Sequence, residues 1–388
     1  MEIKFYNLPE PKPFDESMVK EVPNFVSYRP DFVLIEKLAK QYEHKKNLVI
    51  IGHGGSVTSF LGIYNVLKAQ STKKVFFVST VDPDYISEVK KQNVPDETLV
   101  IAISKSGETV TQLEALMSFT EFELLIITGV AGPLAEIGAK LNSTMVIHPA
   151  IGGRFTGLTE VALLPAKLCG FNIEDVYEGG QQYLKQYSET NLAYQSASIF
   201  AQLEEAGIVE VFMPFYSHAL FSFSNLIVQL CHESFSKDGK GQTYFAHESP
   251  ESQHHTNQRF FGGRKNIAGW FMSSESSTSD LNIKVPPPLT DIHLKENQLG
   301  LLSNSSLFHS LTIERDATIE DAKLQNIPIV DMQIKEYTEF ELGSLVAFWQ
   351  MYAVYSSLLR NVNPFDQPQV ESSKKISFNK RLGDKGVL

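Results

Sequence analysis

The stretch "LVIAISKSGETVTQLEA", residues 99–115, joins an apolar run to a helix-like pattern through a short loop of small and charged residues. The run that ends at Ser104 is apolar on both faces of an extended chain, which is typical of a buried strand in a parallel sheet. In such sheets the loop from strand to helix lies at the carboxyl edge, where ligands bind. The stretch therefore predicts an α/β fold with a ligand loop at residues 104–109.

The same pattern recurs through the first half of the chain. Further short runs rich in β-branched residues, separated by helix-compatible stretches, lie at 47–52, 74–79, 124–129 and 144–149. Together with the opening stretch they predict a five-stranded, doubly wound parallel sheet over residues 31–180. The proline-rich residues 1–30 are expected to lie over the surface as an N-terminal arm.

The second half restarts the alternation less regularly. Strand candidates lie at 208–215, 266–273, 281–286 and 327–334, and a helix is predicted over 217–235. We expect a second α/β domain at 181–360 and a C-terminal segment at 361–388. The predicted fold class is thus α/β, with two doubly wound parallel-sheet domains and a C-terminal helical segment.

Composition narrows the class of protein. At 388 residues the chain exceeds what one ordinary hydrophobic core serves, which agrees with two domains. The apolar fraction of 43% is that of a globular protein, and the net charge of −11 argues against general nucleic-acid binding. Cys169 and Cys231 lie in apolar runs, which favours buried free thiols over a disulfide or a metal site.

We expect a cytoplasmic protein that is not bound to a membrane. The N-terminal residues lack the basic-then-apolar order of a signal peptide. Residues 340–359 approach the length of a membrane span, but they include Glu341 and Gln350. We therefore interpret them as a helix packed on all sides inside the protein.

Two loops at the predicted carboxyl edge are rich in small polar residues. The first, residues 52–56, reads Gly-His-Gly-Gly-Ser and is followed by a helix. Its glycines allow a sharp turn that brings N–H groups close to an anion, although a tight turn without a ligand has the same composition. The second loop offers the hydroxyls of Ser104, Ser106 and Thr109 and the cation of Lys105. This set suits a phosphate monoester held without a metal.

Three other residues carry side chains suited to acid–base chemistry. Arg154 follows two glycines after the last predicted strand, where it can stabilise an oxyanion or form an ordinary surface ion pair. Gln229 and Glu233 lie one helical turn apart on the same face. Glu233 is then either a charge at the end of a helix or a partly buried carboxylate suited to act as a general base.

A histidine-rich loop and a C-terminal lysine complete the candidates. The loop contains His247, His254 and His255, for which a metal site is the minor interpretation and a single catalytic histidine the favoured one. Lys374 lies in a predicted helix after a proline-punctuated turn, where it either reaches a cleft or faces water.

The order of these motifs resembles the phosphoglucose isomerase family, whose two sugar-isomerase-type domains bind glucose 6-phosphate and fructose 6-phosphate. The resemblance covers residues 48–375 and includes GGS at 54–56, SKSG-x-T at 104–109, GGR-F at 152–155, Q-x-x-x-E at 229–233, Q-H at 253–254 and F-D-Q-x-x-V-E-x-x-K at 365–374. The chain departs from the family by being shorter and by carrying His53 and His232 where an apolar residue and glycine are usual.

Carried over position by position, the resemblance implies roles for twelve residues. The phosphate loop comprises Ser104, Lys105, Ser106 and Thr109, and the sugar contacts are Gly55 and Ser56. Glu233 would move the proton between C1 and C2, with Gln229 beside it and Arg154 stabilising the enediolate. Gln367 would lie near the phosphate. His254, supplied by the partner subunit of a homodimer, and Lys374 would open the sugar ring.

The resemblance thus implies reversible isomerisation of hexose 6-phosphates in glycolysis and gluconeogenesis, with neither metal nor organic cofactor. Two alternatives stay open. A bifunctional phosphoglucose/phosphomannose isomerase typically has Ser-Tyr-Ser-Gly-Asn-Thr in the phosphate loop, whereas this chain has Lys105 at the second position. A sugar-phosphate-binding regulator of the same fold would keep the serine-rich loop without the base, whereas Glu233 is present.

Overall fold

A computed structural model describes residues 1–19, 21–185, 188, 190–279 and 281–384 of the chain. The strands are β1 (Glu2–Tyr6), β2 (Asn47–Ile51), β3 (Lys74–Val78), β4 (Thr98–Ser104), β5 (Glu123–Thr128), β6 (Thr144–Ile147), β7 (Glu210–Phe215), β8 (Thr243–Glu248), β9 (Ile267–Ser274), β10 (His293–Leu294), β11 (Asn297–Gln298) and β12 (Ile329–Ile334).

The α-helices of the described residues are α1 (Asn24–Ser27), α2 (Phe32–Gln41), α3 (Thr58–Leu67), α4 (Pro83–Lys91), α5 (Val110–Met117), α6 (Pro133–Lys140), α7 (Glu160–Leu168), α8 (Ile173–Leu184), α9 (Leu192–Glu205), α10 (His218–Phe221), α11 (Ser224–Phe235), α12 (Thr256–Gly262), α13 (Leu307–Leu324), α14 (Glu339–Leu359) and α15 (Glu371–Asp384). Short 3-10 turns important for the site are Gly54–Ser56, Gly153–Phe155 and Glu251–His254.

The first sheet has the order β3-β2-β4-β5-β6, and all neighbouring strands are parallel. Every residue of β4 is buried, as its two-sided apolar sequence predicts. The five strands expected in residues 31–180 are therefore confirmed. Because β2 and β4 are direct neighbours, the Gly-rich loop after β2 and the Ser-rich loop after β4 lie side by side at one edge.

The second sheet has the order β1-β12-β9-β7-β8. Its strands β12, β9, β7 and β8 are parallel, and β1 adds an antiparallel edge to β12. The α/β fold class with two parallel-stranded sheets is confirmed, and the edge strand β1 lies within residues 1–30, which we predicted as an arm. The predicted domain boundaries stay predictions, because one apolar cluster runs from Leu48 in the first sheet to Trp270 in the second.

Two local predictions in the second half need correction. The strand expected at 281–286 is wrong: over these residues the structure has only an isolated bridge from Asn282 to Ser306, and Leu281 is largely exposed. The prolines at 286–288 remove N–H donors that a strand ladder requires. The helix expected over 217–235 divides into α10 and α11 at residues 222–223.

Helix α14 forms the centre of the protein. By length and composition it is able to cross a membrane, but its residues 342–357 are all buried inside the fold, which confirms the interpretation as a core helix. It packs closely on α8: a Cβ at Gly343 would lie 1.8 Å from the Val176 carbonyl oxygen. Cys169 and Cys231 are both buried free thiols, as predicted.

Helix α15 lies on the surface. Arg381 near its end forms an ion pair with Glu114 of α5, with Nε 2.6 Å from Oε1. The C-terminal segment predicted at 361–388 is helical over Glu371–Asp384, and its residues 385–388 lie outside the described part of the chain.

Candidate active site

The Ser-rich loop after β4 leads into the N-terminus of α5, which has no side-chain cap from the part of the chain that the structure describes. Ser104 Oγ accepts a hydrogen bond from the Gly107 N–H at 3.1 Å and lies 3.5 Å from Thr109 Oγ1. Gly107 has φ +67°, a conformation that glycine adopts without a Cβ penalty. Thr109 is the N-cap of α5, and within the described residues its hydroxyl caps no N–H of the helix. The first turn of α5 therefore presents N–H groups and hydroxyls to an anion.

The charged residues of this loop face solvent. Lys105, Ser106 and Glu108 are exposed, and the Ser106 hydroxyl accepts a hydrogen bond from the Glu108 N–H at 3.2 Å. Lys105 and Ser106 are thus free to approach a ligand from water without breaking packed structure. The four predicted phosphate-loop residues, Ser104, Lys105, Ser106 and Thr109, lie in one turn at the carboxyl edge of the first sheet.

The Gly-rich loop after β2 packs against two other site segments. A Cβ at Gly55 would lie 2.1 Å from the Gly153 carbonyl carbon, so this loop touches the backbone next to Arg154. Gly54 has φ +51°, and a Cβ there would lie 2.6 Å from Gln229 Nε2. Glycine is required at Gly55 because a Cβ would meet backbone atoms, and the positive φ favours glycine at Gly54. These two contacts place the loop next to the segments that carry Arg154 and Gln229. Ser56 is the residue that follows them in the loop.

Arg154 and Glu233 form the centre of the site. Arg154 is 3% exposed, and its Nη1 donates to Glu233 Oε2 at 3.1 Å. The guanidinium Nε also donates to Ser234 Oγ at 2.9 Å, which fixes its plane. Burial lowers the pKa of Arg154, and the Glu233 carboxylate opposes this shift by stabilising the cation.

Glu233 keeps part of its carboxylate accessible. Its side chain is 32% exposed, and Gln229 Nε2 donates to Glu233 Oε1 at 3.2 Å. Gln229 Oε1 in turn accepts from Thr58 Oγ1 at 3.4 Å. Both carboxylate oxygens of Glu233 are thus oriented by neighbours while part of the group stays exposed. This arrangement suits proton transfer next to a fixed cation.

The C-terminal loop closes over Arg154. The guanidinium Nη1 donates to Gln367 Oε1 at 2.8 Å, and Nη2 donates to the Asp366 carbonyl at 3.1 Å. The structure therefore brings Gln367 to the Arg154–Glu233 pair, although Arg154 and Gln367 are 213 residues apart along the chain. Main-chain carbonyls of this loop act as acceptors that hold a buried cation in one orientation.

Sequence reasoning missed Lys237, which holds the same loop. Lys237 is buried, and its Nζ donates to the Asn363 carbonyl and, at 2.6 Å, to both the carbonyl and the Oδ1 of Asp366. The hydrogen bond from Lys237 lowers the pKa of Asp366. The signal that was available is a lysine four residues after Glu233, just beyond the end of α11, where a long side chain can reach into the site.

His232 also has a structural role. Its Nε2 accepts a hydrogen bond from the Tyr244 N–H at 2.9 Å, which joins α11 to the start of β8. Burial lowers the pKa of His232, so the neutral ring that can accept this bond is favoured. The residue before Glu233 therefore fixes the helix that carries the carboxylate.

The structure does not join His254 and Lys374 to this centre. His254 lies exposed at the end of the 3-10 turn after β8. Lys374 is 62% exposed on α15, and its Nζ lies 2.7 Å from Glu371 Oε1. Within the described ranges neither side chain has a hydrogen bond or ion pair to Arg154 or Glu233, and their proposed roles remain predictions.

Histidines in and near the histidine-rich loop contact other side chains in pairs. The rings of His247 and His255 lie edge to face with centroids 4.9 Å apart, and His218 Nδ1 lies 2.9 Å from Glu248 Oε1. Across the residues that the structure describes, no group of three or more His, Cys, Asp and Glu side chains is arranged to hold a metal ion.

Comparisons with known proteins identify the family. Residues 38–265 match the family model described as phosphoglucose isomerase. The chain is 31% identical over 377 residues to a glucose-6-phosphate isomerase of Mycoplasmopsis synoviae, covering 88% of this chain and 84% of that protein. It is 29% identical over 381 residues to a probable glucose-6-phosphate isomerase of Methanococcus maripaludis, covering 91% and 84%.

Solved structures show the same fold. A hypothetical protein from Thermus thermophilus superposes with a TM-score of 0.82 at 23% identity, covering 95% of this chain and 91% of that one. A glucose-6-phosphate isomerase from Chlamydia trachomatis superposes with a TM-score of 0.77 at 21% identity, covering 92% and 73%. The matched family model spans more than half of the chain and includes Arg154 and Glu233. The chain belongs to the phosphoglucose isomerase family.

Proposed function

We propose that this chain catalyses the reversible isomerisation of glucose 6-phosphate and fructose 6-phosphate through a cis-enediolate, a step of glycolysis and gluconeogenesis. The observation that carries the mechanism is the ion pair between Arg154 Nη1 and Glu233 Oε2, which lie 3.1 Å apart. The reaction is supported by the family. The residue roles below are those that the family resemblance implies, and the contacts around Arg154 and Glu233 support them.

The phosphate of the sugar binds at the first turn of α5. N–H groups at a helix start and the hydroxyls of Ser104, Ser106 and Thr109 are suited to a phosphate monoester, with Lys105 supplying a cation from solvent. This binding lies away from the reacting carbons, so its energy holds the sugar chain in register for proton transfer. Ser56 and Gly55 then line the path from the phosphate to Arg154.

Glu233 takes the proton from the carbon next to the carbonyl and returns it to the neighbouring carbon. Removing this proton places negative charge on the sugar oxygens, and Arg154 stabilises that charge at a position that burial and several acceptors keep fixed. Gln229 orients the other carboxylate oxygen. The hydroxyl proton passes between O1 and O2 of the enediolate by exchange with water. C1 and C2 have then exchanged carbonyl and hydroxyl, and Glu233 is again a carboxylate.

Ring opening is assigned to His254 and Lys374. The cyclic sugar needs a proton donor for the ring oxygen and an acceptor for the C1 hydroxyl proton. Both side chains are exposed in the single chain. This supports a site to which the partner subunit of a homodimer contributes His254 and a displaced α15 contributes Lys374. The protein acts on its substrate in the cytoplasm.

A direct assay tests the reaction. Purified protein is given fructose 6-phosphate, and glucose 6-phosphate is detected by its oxidation with a coupled dehydrogenase. Mannose 6-phosphate is assayed in parallel at equal concentration. We expect turnover of fructose 6-phosphate and a far slower reaction of mannose 6-phosphate; comparable rates would show the bifunctional enzyme instead, and binding of fructose 6-phosphate without turnover would show a regulator.

Subunit mixing tests the shared site. Glu233→Gln and His254→Ala proteins, each expected to be inactive, are mixed, unfolded partially and re-equilibrated. If His254 crosses the interface, mixed dimers contain one site with both residues intact, and activity returns to about a quarter of the wild-type value on statistical grounds. A size-exclusion profile of a monomer, or no recovery in a mixture shown to contain mixed dimers, would contradict this assignment.

A further inference from the structure

A hydrogen bond joins the two loops at the carboxyl edge of the first sheet. His53 Nε2 lies 3.1 Å from Thr111 Oγ1. His53 is the N-cap of the 3-10 turn Gly54–Ser56, and Thr111 is the second residue of α5. The contact therefore links the Gly-rich loop, residues 52–56, to the helix whose first turn forms the phosphate-binding end.

The surroundings of this bond keep it in place. Gln112, the next residue of α5, is 1% exposed and donates to the carbonyls of Ile51 at 3.0 Å and Ile103 at 2.8 Å. Gln112 thus fixes the strand ends of β2 and β4 relative to α5, while the loop beyond Ile51 is held by His53. Burial lowers the pKa of His53, which favours the neutral ring.

The Gly-rich loop, which His53 links to α5, also contacts the segments that carry the reacting centre. The loop meets the Arg154 segment through the Gly55–Gly153 contact and meets Gln229 through Gly54. A shift of the loop relative to α5 therefore changes the distance between the phosphate-binding end and the Arg154–Glu233 pair. That distance must match the separation between the phosphate and C1–C2 of the sugar.

We infer that His53 is a positioning residue that, through Thr111, sets the spacing between the phosphate-binding end of α5 and the isomerisation centre. This inference rests on the proposed function. A change in this spacing affects ligands that contact both the end of α5 and the Arg154–Glu233 pair, but not ligands that contact only one of them. Fructose 6-phosphate spans both, whereas inorganic phosphate contacts the end of α5 alone.

Two substitutions remove the bond from either side. Thr111→Val removes the hydroxyl at nearly constant volume, and His53→Leu removes the ring nitrogen. We expect either change to lower kcat/KM for fructose 6-phosphate about three- to tenfold, the effect of one lost hydrogen bond. The dissociation constant for inorganic phosphate, measured by NMR titration, stays within about twofold of wild type, because both changes keep the backbone N–H groups of α5 and the hydroxyls of Ser104, Ser106 and Thr109.

Conservative variants and a double-mutant cycle separate positioning from general damage. Thr111→Ser and His53→Gln keep a hydrogen-bonding group near the same place, and we expect them to recover most of kcat/KM. The double variant His53→Leu/Thr111→Val loses no more than the worse single variant, because both remove the same bond. Exposed His44→Leu and Thr120→Val serve as matched controls and stay at the wild-type value.

Three outcomes would overturn the inference. One is wild-type kcat/KM in both Thr111→Val and His53→Leu; another is additive losses in the double variant. The third is a parallel loss of inorganic phosphate affinity, which would mean that the bond shapes the phosphate-binding end itself. Failure of the proposed function is distinct from these, since wild-type protein would then not turn over fructose 6-phosphate at all.

Discussion

Replacing Lys237 with methionine should loosen the C-terminal loop that holds Arg154. Methionine keeps the apolar length of the side chain and removes the donor to the Asn363 and Asp366 carbonyls and to the Asp366 carboxylate. The Asn363 carbonyl is left without a donor, which costs about 1–3 kcal/mol. The Asp366 carbonyl still accepts from Arg154 Nη2. Asp366 is about half exposed, so its lost ion pair adds only about 0–1 kcal/mol. We expect the free energy of unfolding to fall by about 1–4 kcal/mol.

The same change should affect catalysis, because Arg154 donates to this loop through Nη2. A misplaced guanidinium that loses about 1.4 kcal/mol of transition-state stabilisation lowers kcat about tenfold. The assays are urea denaturation and steady-state kinetics with fructose 6-phosphate. Lys240→Met is the matched control, since Lys240 is exposed and its Nζ donates to the Arg360 carbonyl at 2.7 Å. Equal stability and equal kcat in the two variants would refute the reasoning.

Three more predictions concern single sites. Arg154→Lys should lower kcat by about 10²–10³, because an ammonium ion cannot make the bonds of the guanidinium to Glu233 and the loop; steady-state kinetics decide this, and a loss below about threefold would contradict it. Gly55→Ala should destabilise the fold by about 1–3 kcal/mol or more in urea denaturation, because its Cβ would lie 2.1 Å from a backbone carbon; unchanged stability and activity would show that the loops do not touch. His148 is buried and its pKa is lowered by burial, so the unfolded chain binds the proton more tightly and stability falls as pH drops below about 6.5. Replacing His148 with asparagine should flatten the dependence of thermal stability on pH between about 7.5 and 5.5, and an unchanged slope would contradict this.

Periodicity of apolar residues was sufficient to predict the first sheet, because β2, β4 and β5 are buried on both faces and are written as continuous apolar runs. The strand β8 was missed because its sequence TYFAHE combines polar and apolar residues without a clear period. The false strand at 281–286 alternates correctly but has no neighbouring strand to pair with among the described residues. Pairing partners are a property of the tertiary fold and leave no local signal.

In the candidate site, too, features with a local sequence signal could be predicted and features that depend on the tertiary fold could not. The position of the loop after β4 could be predicted because its residues are contiguous and follow a buried strand, and its role in phosphate binding stays a prediction. The pairing of Arg154 with Glu233 joins residues 79 positions apart, and no spacing rule connects them. Lys237 was missed for a similar reason, since its acceptors are main-chain carbonyls of the loop that contains Asp366, 129 residues further along the chain.

The most direct test of the central claim follows the transferred proton. Wild-type protein and Glu233→Gln are incubated with fructose 6-phosphate in deuterium oxide, and deuterium at C1 and C2 is measured by NMR, with sugar-phosphate affinity measured separately. If Glu233 is the base beside Arg154, the wild type incorporates solvent deuterium, while the variant binds the sugar phosphate within about threefold of wild type and exchanges at least about 10³-fold more slowly. Exchange in Glu233→Gln near the wild-type rate would contradict the account.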